Sequence, residues 1–174
     1  RLLPQYGGLY DKILIEDEKD NIQPNCIPFY KTTNNNIFKP LNLQKKYDLC
    51  LISNFAQIKH KGTDFIINQI SRDSFFLKGL KICHIGNKPE IGKDLTYRNY
   101  VSNIEFLGSL ERPEINLVLN QSKFGVVSSN QLDGCPRVIT EILTSGTPLL
   151  IREQTRLLNY YKKYGTVEFQ DNNF

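Results

Sequence analysis

Residues 124 to 151 read FGVVSSNQLDGCPRVITEILTSGTPLLI, and they fix the class of fold. Phe124 to Val127 is a short apolar run, too short for a helix, and reads as a buried strand. Ser128 to Cys135 is a polar loop. Pro136 stands where a first helical turn tolerates its missing N–H. From Arg137, the residues Val138, Ile139, Ile142 and Leu143 form one apolar stripe, with Arg137, Thr140, Glu141 and Thr144 on the other side. Gly146 ends the helix, Pro148 prevents its continuation, and Leu149 to Ile151 begins another buried strand.

This strand–loop–helix–strand unit recurs along the chain. Strands are expected at Asp48–Ser53, Leu80–Ile85, Ile104–Leu107, Phe124–Ser128, Leu149–Ile151 and Val167–Phe169. Helices are expected at Asp64–Phe76, Asp94–Ser102, Pro113–Gln121, Arg137–Ser145 and Glu153–Tyr164. Strict alternation with short links predicts an α/β, doubly wound parallel sheet of Rossmann-like type over residues 47–174. Residues 1–46 read differently. Apart from a candidate strand at Lys12–Ile15, their prolines (24, 28 and 40) and Asn34-Asn35-Asn36 mark a connecting segment.

In open parallel sheets, ligands bind at the carboxyl ends of the strands, where helix N-termini present free amides to anions. Asp133 and Glu141 flank such a place, which predicts a ligand with both hydroxyls and phosphate. Glu141 has a plainer reading too, as a solvated residue paired with Arg137 one turn earlier. At the first strand's end, Lys61 precedes Gly62, and Thr63 is a helix cap. The cation suits a diphosphate, although Lys59, His60 and Lys61 also fit a solvated basic loop. Gly86 and Gly108 each follow a strand, where a glycine permits either a ligand's close approach or a simple turn. His84, within a doubly buried strand, reads as a core histidine satisfied by a neighbour.

Residues 133–150, DGCPRVITEILTSGTPLL, resemble the donor-site signature of the retaining glycosyltransferases with the GT-B fold, the superfamily that includes glycogen synthase. That signature is Glu, seven residues, Glu, then a small-residue–Gly–x–Pro turn into a strand. The chain keeps the spacing as Asp133 and Glu141 and the turn as Ser145-Gly146-Thr147-Pro148. Asp replaces the first Glu, and Pro136 stands where Gly is common. Lys61-Gly62 matches the family's Lys-Gly, but Phe55 holds the place of the Arg usually found six residues earlier.

The resemblance implies the C-terminal, donor-binding half of a GT-B enzyme, with residues 1–46 as the crossover and the tail of an N-terminal acceptor domain. It assigns catalytic roles to Asp133, on donor-sugar hydroxyls, and Glu141, on the ribose. Lys61 and Gly62 would hold the diphosphate, together with the amides of Gly134, Cys135, Arg137 and Val138. Gly108 and Ser109 would sit beside the nucleobase. The substrate implied is a nucleotide-diphosphate sugar, with neither metal nor other cofactor, serving glycan biosynthesis. Two further classes remain open: a catalytically inactive nucleotide-sugar-binding or regulatory module, and a nucleotide-sugar epimerase of the same fold.

Composition bounds these readings. The 174 residues are 40% hydrophobic, enough for one domain with a real core, and no apolar run approaches the length of a membrane span. The absence of methionine and the start at Arg1 read as a piece of a longer protein. A net charge of +4 suits a small anionic ligand, or peripheral contact with an acidic membrane, but is too low and scattered for nucleic acid. Cys26, Cys50, Cys83 and Cys135 include no CxxC pair and read as thiols in a reducing, cytoplasmic setting. No Asp-x-Asp, phosphate-loop or Gly-x-Gly-x-x-Gly pattern occurs, which argues against metal-dependent glycosyltransferases, P-loop NTPases and Rossmann dehydrogenases. Tyr160, Tyr161 and Tyr164 with Lys162 and Lys163 fit a half-buried amphipathic helix, or a membrane-surface face.

Overall fold

The computed structural model describes residues 13–15, 26–28, 31–53, 61–63, 65–66, 79–87, 104–129, 136–153, 161, 164 and 166–169. Six parallel strands form the main sheet: β3 (Tyr47–Ile52), β4 (Ile82–Ile85), β5 (Ile104–Gly108), β6 (Ser122–Val127), β7 (Leu149–Arg152) and β8 (Val167–Phe169). A separate pair, β1 (Ile13–Ile15) and β2 (Cys26–Pro28), also runs parallel. Strand β2 falls in the stretch whose prolines predict a connector. A three-residue strand with its proline at the last position gives up little pairing, so the ladder survives.

The sheet order is β5-β4-β3-β6-β7-β8. Counted from β3, that is the 3-2-1-4-5-6 order of doubly wound nucleotide-binding sheets, with its reversal point between β3 and β6. Period-2 alternation builds two layers from one strand. Leu49 and Leu51 join Ile66, Ile82, Ile104 and Val126 in one buried cluster. Cys50 joins Cys83, Ile85, Leu119, Val127, Ile139 and Ile142 in the other. Cys50 and Cys83 are register partners on adjacent strands, both buried. Their mutual hydrogen bond, then burial, pushes the Cys50 thiol pKa well up, so it stays protonated.

Helix α1 (Arg112–Asn120) and helix α2 (Arg137–Thr144) cover the second cluster. Helix α1 starts where it does because Glu111 and Glu114 form a reciprocal capping box, Glu111 N donating to Glu114 Oε2 at 2.8 Å, with Pro113 in the first turn. Helix α2 has Pro136 as its N-cap, one position before the expected first helical residue. On the expected amphipathic helix after β7, Tyr161 is helical and buried while Tyr164 is exposed. Tyr160, Lys162 and Lys163 lie outside the described residues, as does most of the expected helices at 64–76, 94–102 and 153–164.

The segment before β3 is firmly docked. Phe38 is fully buried, Lys39 N donates to Asn116 Oδ1 at 3.2 Å, and Leu41 N donates to Asn120 Oδ1 at 2.6 Å. Asn120 Nδ2 returns a bond to Lys39 O at 3.1 Å. Both asparagines sit on the buried face of α1, one turn apart. Among the described residues, no helix is long and apolar enough to cross a membrane.

Candidate functional site

The sheet's reversal point holds a narrow cleft, and the chain's two expected ligand-facing connections meet there. Leu51, Ile52 and Ser53 from β3 and its end, with Lys61 and Thr63 beyond, form one wall. Val126, Val127, Ser128 and Ser129 from β6, with Pro136 and Val138 at the start of α2, form the other. At about 20 Å³ it has room for a water-sized group. A hollow of about 440 Å³ lined by Lys46, Lys81 and Glu105 is larger, but it lies at the amino ends of β3, β4 and β5. Ligands of doubly wound sheets bind at the opposite edge, so the smaller cleft is the better candidate.

The two walls are pressed together by backbone. A Cβ on Gly62 would lie 1.8 Å from Ser128 O, and the φ of +63° independently calls for glycine. Ser128 Oγ donates to Lys61 O at 2.9 Å, closing the same contact. Lys61 and Thr63 are already helical, so Thr63 is not the cap that the sequence predicts. Its hydroxyl lies instead 2.6 Å from Ser53 Oγ, which is 3.0 Å from His84 Nε2. His84 is thus a core histidine as expected, with Ser53 meeting its Nε2 but no hydrogen bond at its buried Nδ1 among the described residues, and burial lowers its pKa from 6.5 to about 4. Gly86 packs against the same Ser53, where a Cβ would meet the carbonyl at 2.0 Å; its role is that close backbone contact.

Glu141 departs from the plain reading. It is buried, and its partner is Arg112, Nη2 to Oε1 at 3.0 Å, not Arg137. The reason is tertiary: the first residue of α1 lies against the second turn of α2, which sequence spacing does not show. Arg137 is exposed, and Val138 lines the cleft. Glu141 does not line the cleft itself. Gly108 ends β5 with φ +72°, accepts a bond from Gly86 N at 2.8 Å, and is followed by exposed Ser109, whose Oγ donates to Asn87 Oδ1 at 2.7 Å. Because every strand is parallel, Lys61, Gly108 and the start of α2 share one edge of the sheet. Asp133, Gly134 and Cys135 lie outside the described residues, as do Phe55, Lys59 and His60.

Two arginines at this edge were not singled out by the sequence reading. Arg112 is one. Arg152, at the end of β7, is buried, lies 4.0 Å over the Phe65 ring and is 3.5 Å from Ser128 O. The signal the sequence offered was an Arg directly after the apolar run Leu149–Ile151, because a charge at the end of a buried strand is seldom there without a task. Among the described residues, no three His, Cys, Asp or Glu side chains gather as a metal-binding group.

No protein-family model and no curated protein matches the chain. Solved structures do. The chain is similar to a sucrose-phosphate synthase from Thermosynechococcus elongatus, with TM-score 0.69 and 14% identity, over 94% of this chain and 46% of that one. It is similar to a mutant of TarM from S. aureus, solved in a complex that includes UDP, with TM-score 0.70 and 13% identity, over 96% and 35%. A glycosyltransferase involved in avilamycin A biosynthesis gives TM-score 0.64 and 16% identity, over 84% and 45%. The chain therefore spans less than half the length of each. At these identities the likeness concerns fold, and the fold is the Rossmann-like α/β fold of GT-B glycosyltransferases.

Proposed function

We propose that this chain is the donor-binding, C-terminal half of a retaining glycosyltransferase that takes its sugar from a nucleotide diphosphate. The single observation that carries the reading is the cleft at the sheet's reversal point, with Lys61 on one wall and the N-terminus of α2 on the other. The cleft itself holds no more than a water-sized group, so a diphosphate lies across its mouth, where it meets one cation and a helix start whose free amides favour negative charge. Those groups stabilise the leaving diphosphate as charge develops on it, and no metal ion is called for. Asp133 accepts from donor-sugar hydroxyls and Glu141 from the ribose. Gly108 and Ser109, further along the same edge, approach the nucleobase. Residues 1–46 link this half to an acceptor domain, so the chain alone binds donor without transferring sugar to a glycan or lipid.

Calorimetry with UDP, GDP and their sugars tests this, without added metal. The chain should bind at least one of these diphosphates, and Lys61→Ala should weaken that binding about 10- to 100-fold, the worth of a charge-assisted hydrogen bond. The variant should keep the native circular dichroism spectrum, because Lys61 belongs to neither buried apolar cluster. Absence of binding at millimolar nucleotide would sink the reading in favour of a module that keeps only the fold.

A further inference from the structure

The Arg112–Glu141 pair joins two elements that the sequence separates by a whole strand. Arg112 is the first residue of α1, fixed there by the Glu111–Glu114 capping box, and its guanidinium lies 5.4 Å over the ring of the fully buried Phe38. Glu141 keeps only 11% of its side chain in contact with solvent, against 43% for Arg112. One carboxylate oxygen, Oε1, accepts from Arg112 Nη2. The other, Oε2, has no hydrogen-bond partner among the described residues. Oε2 is not among the buried polar atoms that lack a partner, so it keeps access to solvent, and its lone pairs can accept from an incoming donor. Two hydroxyls on neighbouring carbons can both satisfy one such oxygen.

We infer that Arg112 is a positioning residue: it fixes the Glu141 carboxylate so that the other oxygen accepts the vicinal hydroxyls of a ribonucleotide. This rests on the donor-binding reading above and adds to it a residue outside the signature. Arg112 also follows Gly108 and Ser109 closely in the chain. It therefore ties the end of β5 to α2, and a nucleoside bridging the two meets a preset distance. A fixed acceptor makes the missing hydroxyl of a 2′-deoxy analogue costly, whereas a loose carboxylate would adjust to it.

The test is calorimetry on the full chain with UDP, GDP and their 2′-deoxy counterparts. The native protein should prefer the ribonucleotide about tenfold, the value of one hydrogen bond to a charged group. In Arg112→Ala that ratio should fall to about twofold or less, while both diphosphates still bind through Lys61. A merely structural arginine would weaken ribo and deoxy forms alike and leave the ratio untouched. An unchanged ratio in a variant with native circular dichroism overturns the positioning role and leaves the donor reading standing. Failure of the native chain to bind any of the four overturns both. If Arg112→Ala does not fold, Arg112→Met, which keeps an unbranched side chain over Phe38 but has neither charge nor donor for Glu141, decides the same question: a native ratio there refutes the proposal, and a collapsed ratio supports it.

Discussion

The two ends of α2 are built for different purposes, although one sequence signature runs through both. At its front, Pro136 and Val138 line the cleft opposite Lys61. At its back, Gly146 lies against the chain's own connecting segment, while Ser145 and Thr147 bond helix α1, which holds that segment. Gly146, at φ +73°, lies against Pro40, where a Cβ would come within 3.0 Å. Thr147 Oγ1 donates to Leu119 O at 2.8 Å. Asn116 and Asn120 bind Lys39 and Leu41 beside it. The small-residue–Gly–x–Pro turn is therefore small because a segment crosses it. A motif can thus mix residues kept for chemistry with residues kept for packing, and only contacts separate them.

The contrast breaks most visibly at the back. Phe38→Ala removes a fully buried ring from the cluster that α1 and α2 share, and should destabilise the fold by about 3–5 kcal/mol in urea unfolding. Nucleotide affinity of the folded fraction, measured well below the unfolding midpoint, should stay within about twofold of native, since Phe38 lies outside the cleft. A larger fall would show that the two ends communicate, through the guanidinium of Arg112 that lies over this ring.

The front has its own vulnerability, and it is acid. His84 is neutral in the fold, with a pKa near 4 against 6.5 unperturbed, because burial opposes its charge. The unfolded chain takes up that proton first, so stability is fully present above pH 6.5 and is lost as pH falls from there toward 4. The loss should reach about 3 kcal/mol by pH 4. Asp48 titrates lower, its pKa depressed below 3.8 by its hydrogen bonds to Lys123 and then to Lys81 N, so its own contribution is lost in a more acidic window. His84→Gln, which can still bond Ser53 but cannot titrate, should flatten the curve between pH 6.5 and 4.5. A slope that survives the substitution would mean that the Ser53–Thr63–His84 group does not govern the acid response.

Much of this architecture could be read from the chain, and the boundaries show why. Apolar runs such as Cys50-Leu51-Ile52 and Val126-Val127 report their own burial, so the parallel doubly wound class followed from alternation alone. Strand β6 begins at Ser122, before the expected Phe124, because Ser122 and Lys123 pair without being apolar. Strand order left no mark on the sequence, since it depends on crossovers and not on composition. Lys61 was legible because it sits at a βα junction, a local feature. The Arg112–Glu141 pair was not, because a helix and β6 separate its members. The asparagines could have been found: two Asn on the buried face of a helix need partners, and Lys39 and Leu41 supply them.

The smallest effect makes the sharpest test of the division within α2's signature. Ser145 belongs to that signature, and its hydroxyl lies 2.8 Å from Asn116 Oδ1 and 2.7 Å from Glu141 O. Its single proton serves one acceptor at a time, and both have other bonds: Asn116 Oδ1 accepts from Asn120 Nδ2 at 3.1 Å, and Glu141 O accepts from Ser145 N at 3.0 Å. Ser145→Ala therefore strands no buried polar atom and should lower the unfolding free energy by only about 1 kcal/mol. Nucleotide affinity should not change, because the backbone bond from Ser145 N to Glu141 O survives and Glu141 keeps Arg112. If affinity fell with so slight a loss of stability, the back of the helix would be setting the carboxylate after all, and chemistry and packing would not divide along α2.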